Sequence, residues 1–235
     1  MPIINLVYEA PERKREPWAN TLIYYPLNWD ANDYSGNNRN LSASNISYQD
    51  LTGGKKSAYF NGSSSFGYIY SNVTLQNFTM NIWVKKSRNV SWERIMSYFV
   101  PNYPNSNEIG IISNWTWVWN VWSISYQWWW NSASWKWWVD TWTANLTWMN
   151  IAIVSDENWN KLYKNWEQLT LSYDNGDASH FLSSSYTFTV IFLWRHTSWS
   201  DFFQWNLSNC ILEDRWWSKF ELKSYYNQTK SNYWL

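Results

Sequence analysis

The sequence predicts an all-β fold, a sandwich or a barrel, and three observations carry that prediction. Residues 78–85 alternate, with Phe78, Met80, Ile82 and Val84 on one face and Trp83 on the other, the period of two that a strand imposes. Residues 148–155 are apolar on both faces, Trp148, Ala152 and Val154 against Met149, Ile151 and Ile153, which marks a central strand covered from two sides. Short runs of this kind are separated throughout by Asn, Ser and Gly clusters, as in a β-sandwich or barrel and unlike βαβ units.

Taken in order, residues 1–18 mix proline with both signs of charge and no sustained periodicity, so they read as a tail or linker ahead of one domain over 19–235. Residues 21–27 form the first strand. Leu162 and Tyr163 lead through Asn165-Trp166 to Leu169 and Leu171, two short strands around a two-residue turn. Asp156 to Asn160 is the turn before them. Residues 186–193 alternate Tyr186, Phe188, Val190 and Phe192 with Thr187 and Thr189. One helix is expected, over 218–227. Ser218 and Glu221 make a capping box, and Leu222, Tyr225 and Tyr226 give an apolar stripe at i, i+3 and i+4. Trp217, just before the cap, can staple onto Leu222.

The composition conflicts with this pattern at one residue type. The chain has 24 Trp and only 7 Gly in 235 residues, whereas average usage gives roughly 16 Gly. Tight hairpins prefer Asn-Gly because both central residues need φ > 0, which Gly accepts freely and a bulky side chain does not. Asn165-Trp166, and Trp159 in the preceding turn, place Trp where Gly belongs. Most Trp positions therefore read as glycine codons written as Trp, UGA being the codon concerned. The stretch from Trp115 to Trp142, with Trp128-Trp129-Trp130 at its centre, then reads as loops around one or two weak strands such as 123–127.

Charge narrows the function classes. Lys plus Arg and Asp plus Glu are equal at 18 each, so no nucleic-acid or anionic-membrane partner is indicated. Arg13-Lys14-Arg15 lies between Glu12 and Glu16 and reads as a solvated tail. A single Cys210 excludes an internal disulfide, and with only His180 and His196 there is no Cys/His metal spacing. The N-terminal apolar run lacks the basic flank and cleavage site of a secretory signal, and no run of 18 apolar residues marks a membrane span. The sequons at Asn45 and Asn77 are the chance matches of an Asn- and Ser-rich chain.

Read with glycine in its turns, the chain resembles the laminin-G-like jelly-roll domains of the concanavalin A-like lectin/glucanase superfamily over about residues 20–235. The resemblance begins with the block from Tyr24 to Asn37, Tyr-Tyr-Pro-Leu-Asn-Trp-Asp-Ala-Asn-Asp-Tyr-Ser-Gly-Asn, where the family has Gly at the place of Trp29. It continues through Ala58-Tyr59-Phe60-Asn61-Gly62-Ser63 and then Phe78 to Lys85, where the family does use Trp. The block from Trp148 to Val154 and the Leu162 hairpin follow. The last block runs from Leu193-Trp194-Arg195 through Phe203-Gln204-Trp205 to Arg215 and the capped helix. Trp29, Trp166, Trp194 and Trp205 depart at Gly positions, whereas Trp83 and Trp148 fall on family Trp positions. Ser208 stands where the family often has Asp.

The resemblance implies an antiparallel β-sandwich of the jelly-roll type, with Trp83 and Trp148 buried between the sheets. It implies a non-catalytic recognition module that binds carbohydrate or a surface through its rim loops, extracellular or on a cell or virion surface, with a glycan or surface protein as partner. A structural or protein–protein domain without a glycan site is the alternative. Such domains sometimes hold Ca²⁺, and Asp30 and Asp33 in Asp30-Ala31-Asn32-Asp33 are the candidate ligands because they bring hard oxygens close together. The competing reading is an Asx turn of Asp33 onto Ser35-Gly36. A glycosidase of this fold would carry Glu-x-Asp-x-x-Glu on one strand, placing its carboxylates on one face. The chain has no such run. Glu213-Asp214 are adjacent and point to opposite faces, and His196 has no partners set by spacing.

The coding reading is checked in the nucleotide sequence. Trp29, Trp159, Trp166, Trp194 and Trp205 are expected to be UGA, and Trp83, Trp148 and Trp217 to be UGG. UGG at the hairpin positions would end it.

Overall fold

The computed structural model describes residues 19–87, 93–99, 108–116, 119–127, 134–139, 147–156, 160–175, 186–193 and 204–235. Their strands, numbered in chain order, form two antiparallel sheets. The first runs β13 (Glu167–Gln168), β12 (Asn160–Lys164), β11 (Trp148–Ser155), β6 (Phe78–Lys86), β16 (Gln204–Glu213), β4 (Lys56–Asn61) and β3 (Ser47–Asp50), with β1 (Thr21–Tyr25) also on β16. The second runs β14 (Leu171–Asn175), β10 (Ser134–Val139), β9 (Trp119–Gln127), β8 (Glu108–Thr116), β7 (Glu93–Phe99), β15 (Tyr186–Leu193), β5 (Phe66–Leu75) and β2 (Ser42–Ser44). The antiparallel β-sandwich expected from the sequence is the fold observed. The tail over 1–18 and the turn at Trp159 lie outside the described residues.

β16 organises the first sheet. Its first half pairs β4, from Gln204↔Asn61 to Leu207↔Ala58, and its second half pairs β1, from Cys210↔Tyr25 to Glu213↔Thr21, while β6 lies along its other edge. The partner changes at a bulge between Ser208 and Ile211, where Asn209 takes φ 48°. Asn tolerates this left-handed region better than other residues with a Cβ. The Asn209 N–H donates to Pro26 O at 3.1 Å, and its side-chain amide donates to Tyr233 OH at 2.7 Å.

Two separate apolar clusters cover the two faces of this sheet. Phe78, Met80, Ile82, Val84, Met149, Ile151 and Ile153 meet Ile69, Val73 and Leu75 of β5, and this is the core between the sheets. Trp83, Trp148, Ala152 and Val154 lie on the opposite face with Trp217, Leu222, Tyr225 and Tyr233. Trp83 and Trp148 are thus buried, but not between the sheets as the resemblance implied. The alternation that sends Met80 and Ile82 inward sends Trp83 outward, where helix α1 (Lys219–Thr229) and the turn after it form the second cover. Trp83 stacks on Tyr226 and Tyr233 at ring distances of 5.6 and 4.1 Å, and its indole N–H donates to Thr229 Oγ1 at 3.1 Å. A buried Trp removes about 200 Å² from water, an upper estimate of about 5 kcal/mol each.

The helix begins as the sequence indicates. The Glu221 N–H donates to Ser218 Oγ at 3.2 Å and the Ser218 N–H donates to the Glu221 carboxylate at 2.8 Å, a box worth about 1 kcal/mol. Arg215 bridges Glu221 at 2.6 Å and the buried Glu213 at 2.9 Å. Glu213 also accepts from Trp217 Nε1 at 2.5 Å and Thr21 Oγ1 at 3.2 Å. Burial pushes its carboxyl above the ordinary carboxylate value, with Trp217, Arg215 and Thr21 opposing. The stability tied to this group is therefore greatest below its unfolded value and is lost as pH rises through the raised folded one.

The Trp115–Trp142 stretch is richer in strand than expected. It supplies the last two residues of β8 and all of β9 and β10, and the β8–β9 ladder runs unbroken from Glu108↔Gln127 to Thr116↔Trp119. Pairing with neighbouring strands decides strand state here, which local composition does not register.

The two-residue hairpin between β12 and β13 is present, with φ 49° at Asn165 and 66° at Trp166. Both central residues are left-handed, the geometry that favours Asn-Gly. Asn165 is clamped to β11, donating its N–H to Asn150 O at 2.8 Å and accepting the Asn150 N–H on Oδ1 at 2.9 Å. Trp234, for which the sequence reading made no claim, also takes a left-handed φ of 65° and ends the last 3-10 turn, a place where Gly is the usual residue. Trp205 instead sits buried in the core between the sheets, and Trp29 is 62% exposed; neither has a positive φ. Trp194 lies outside the described residues.

Trp166→Gly is expected to stabilise the fold. A left-handed residue with a Cβ costs about 1–2 kcal/mol, and Trp166 offsets part of this with the cation–π contacts of Lys219 and Lys223, about 0.5–1 kcal/mol each, and its packing on the cluster under the helix. Chemical denaturation should read a small net gain, below about 1 kcal/mol; a loss would show that the indole is a native part of the turn.

Candidate functional site

The rim segment from Pro26 to Leu41, which links β1 to β2, carries the residues singled out as metal ligands. Its geometry is built around one carboxylate. Asp33 Oδ1 accepts the Tyr24 N–H at 3.0 Å and the Ser35 N–H at 2.9 Å. Oδ2 accepts Ser35 Oγ at 2.8 Å and the Arg39 N–H at 3.0 Å. The Asp33 N–H donates to Asn40 Oδ1 at 2.8 Å, and the Tyr34 N–H donates to Tyr24 O at 2.8 Å. The expected Asx turn onto Ser35 is therefore present, within a wider clamp that fastens the loop to β1.

Arg39 and Tyr25 close the clamp from below. The guanidinium donates to Leu22 O at 2.7 Å and to Ser71 Oγ of β5 at 3.0 Å, which ties the first strand to the second sheet. Tyr25 OH donates to Arg39 O at 2.5 Å. Burial, reinforced by Cys210 and Asp33 nearby, pushes the Tyr25 phenol far above its ordinary value, so it stays a neutral donor. Cys210 is fully buried, and burial raises its thiol as well, so it is an inert core residue.

Asp30 stands at the tip. Its Oδ1 accepts the Asn32 N–H at 3.1 Å, and its Oδ2 accepts Asn32 Nδ2 at 2.7 Å and Tyr34 OH at 3.1 Å. All four carboxylate oxygens of Asp30 and Asp33 thus already accept protein donors. Ca²⁺ takes 6–8 oxygens, and no group of three or more His, Cys, Asp or Glu among the described residues could hold a metal ion. The donor set of this loop does not fit a calcium site.

The carboxylates of the adjacent pair separate as the strand period requires: Glu213 is buried and Asp214 exposed. His180 and His196 lie outside the described residues. An aromatic row on β5 escaped the sequence reading. Phe66, Tyr68 and Tyr70 project on the side opposite the inward Ile69, Val73 and Leu75. Phe66 and Tyr68 stack at 6.1 Å, Tyr70 meets Tyr68 edge-on at 5.3 Å, and Tyr70 is 71% exposed. The signal was available as aromatics at i, i+2 and i+4.

No family model and no curated protein matches the sequence. Solved structures do match the fold. Domain 4 of AbnA, a GH43 extracellular arabinanase from Geobacillus stearothermophilus in complex with arabinotriose, is 15% identical with a TM-score of 0.55, over 87% of this chain and 97% of that one. A Trypanosoma rangeli sialidase in complex with 2,3-difluorosialic acid is 11% identical with a TM-score of 0.63, over 92% of this chain and 34% of that one. The binding domain of botulinum neurotoxin serotype D is 14% identical with a TM-score of 0.60, over 89% and 52%. At these identities the likeness is one of fold.

Asp33→Ala should destabilise the chain by about 2 kcal/mol, since it removes a charged acceptor from several half-buried donors. Addition of millimolar Ca²⁺ should leave the melting temperature of the parent chain unchanged. A melting temperature that climbs with the logarithm of free Ca²⁺ would restore Asp30 and Asp33 as ligands.

Proposed function

We propose that the chain is a non-catalytic recognition module that binds carbohydrate, acting outside the cell or on a cell or particle surface. The observation that carries this reading is the match over nearly the whole of an arabinanase domain in complex with arabinotriose. The match to a neurotoxin binding domain supports the same class of role, by analogy of fold. The acidic groups that the structure positions best are engaged in holding the fold: Asp33 in the rim clamp, and Glu213 and Glu221 around Arg215. Retaining glycosidases need two carboxylates about 5 Å apart that are free to act on a sugar. This supports binding over hydrolysis.

The finer family reading, a laminin-G-like domain whose UGA codons specify glycine, belongs to the same proposal. Its support is physical. Trp166 and Trp234 occupy left-handed backbone where Gly is the ordinary residue. Trp83 and Trp217 each donate an indole N–H to a named acceptor inside a packed cluster, which only Trp provides.

A glycan array probed with the full chain carrying glycine at the UGA positions tests the binding reading. Saturable binding to at least one oligosaccharide is expected. Silence across the array, with and without Ca²⁺, would favour the alternative of a structural or protein–protein domain.

A further inference from the structure

The chain is neutral as a whole but not along its length. Residues 215–235, which hold helix α1 and its flanks, carry Arg215, Lys219, Lys223 and Lys230 against a single acid, Glu221. Arg215 and Glu221 bridge each other, so the three lysines set the charge of this surface. The same span is where apolar side chains meet water. Among the described residues, Trp216, Phe220, Trp234 and Leu235 are four of the seven large hydrophobic side chains that stand exposed, so the exposure is concentrated here rather than scattered. Phe220, at 80%, is the most exposed of the seven.

Helical geometry sets the ring beside the charges. Leu222 and Tyr225 are the buried positions of α1, and at 3.6 residues per turn Phe220 stands about 170° from them, on the side away from the sheet. Lys219, Lys223 and Lys230 fall within about 40° of one another on one flank of that ring. Lys219 and Lys223 lie over Trp166 at 5.7 and 4.3 Å, and Lys230 lies over Tyr226 at 5.6 Å, so the ammoniums are held in a line. Glu167, near Tyr226, offsets part of their charge. The other flank carries Glu221 and Gln228, with Glu221 turned to Arg215 and the Ser218 cap. A helix laid on a sheet is a ridge, and Phe220 is at its crest.

We infer that this ridge docks on an anionic lipid bilayer, with Phe220 entering the headgroup layer and Lys219, Lys223 and Lys230 meeting the anionic headgroups. An aromatic ring beside lysines suits a membrane surface, because the ring leaves water while the charges stay at headgroup level. A polyanion in solution would use the lysines and leave the ring wet. Single-stranded nucleic acid stacks on successive rings lining a groove, and a ridge with one ring at its crest is the opposite shape. Phe220 and the lysines keep their identity under either coding reading, so the surface exists with or without Trp216 and Trp234. The inference goes beyond carbohydrate binding and does not rest on it. The ridge covers the face of the first sheet that lies away from the second, so docking through it leaves the second sheet facing outward.

The test is co-flotation of the full chain with phosphatidylcholine vesicles containing about 30% phosphatidylserine, against vesicles of phosphatidylcholine alone. Binding should favour the anionic vesicles at least about tenfold, since each lysine near such a surface contributes about fivefold. It should fall as added salt shortens the screening length. Phe220→Ala should weaken it at least about threefold, and Phe220→Trp should preserve it. Both should leave the melting temperature unchanged, because the side chain is exposed. Lys219→Gln, Lys223→Gln and Lys230→Gln together should remove the anionic preference. Equal binding to both vesicles, or to neither, would overturn the inference and leave the carbohydrate reading untouched. Heparin or single-stranded DNA bound as tightly as vesicles, with no loss in Phe220→Ala, would show a polyanion site in place of a bilayer. A dimer of the parent chain that Phe220→Ala dissociates would show that a second copy covers the ridge.

Discussion

The first sheet is apolar on both faces, and the rest of the molecule is arranged around covering it twice. Strand β11 is buried at every position from Trp148 to Ser155, so neither of its faces can be left to water. The second sheet covers one side through Ile69, Val73 and Leu75. The other side carries three large aromatics, Trp83, Trp148 and Tyr163, and a third sheet is not what meets them. A single helix and the turn that follows it do so, with Tyr226 and Tyr233 set against these indoles and Tyr225 against Trp217. The fold is a sandwich with a helical lid rather than two sheets alone.

That lid is held by polar contacts placed at its two ends. At its start, Arg215 joins Glu213 inside the sheet to Glu221 in the capping box. Removing Arg215 would leave the buried Glu213 without its cationic partner, whereas the bridge to the half-exposed Glu221 is screened by solvent. At its far end, Tyr233 OH donates to Ser208 Oγ at 3.0 Å and accepts from Asn209. These two residues form the bulge at which β16 exchanges β4 for β1. One irregularity in one strand therefore serves the sheet topology and anchors the chain terminus.

Buried amides perform a similar task between β6 and β11. Asn81 and Asn150 exchange reciprocal side-chain hydrogen bonds at 2.8 and 3.2 Å within the covered face, and Asn150 also clamps Asn165 at the hairpin. Satisfied amides are tolerated in a dry interior where an unpaired one is not. Because a one-residue slip would separate the pair, it also fixes register. The two bonds to Asn150 hold Asn165 at the first position of the left-handed turn.

The sequence by itself determined the strands with clear alternation, the double burial of 148–155, the hairpin at Asn165 and the capping box at Ser218. Each depends on residues near one another in the chain, where side-chain period and turn chemistry act directly. Only the tertiary structure decided which cover lies over which face, because alternation separates the faces of a strand without saying what meets them. For the same reason it alone moved Trp83 and Trp148 from the inter-sheet core to the underside of the helix. It also decided that the Trp-rich stretch pairs into β8, β9 and β10, since neighbouring strands complete those hydrogen bonds. The role of Asp33 was legible only in part: the turn onto Ser35 is local, whereas its bonds to Tyr24 and Arg39 require the loop to fold back on β1. The aromatics of β5 were written in the sequence at a spacing of two, but the exposure of Tyr70 was not, because exposure is set by what the remainder of the chain leaves uncovered.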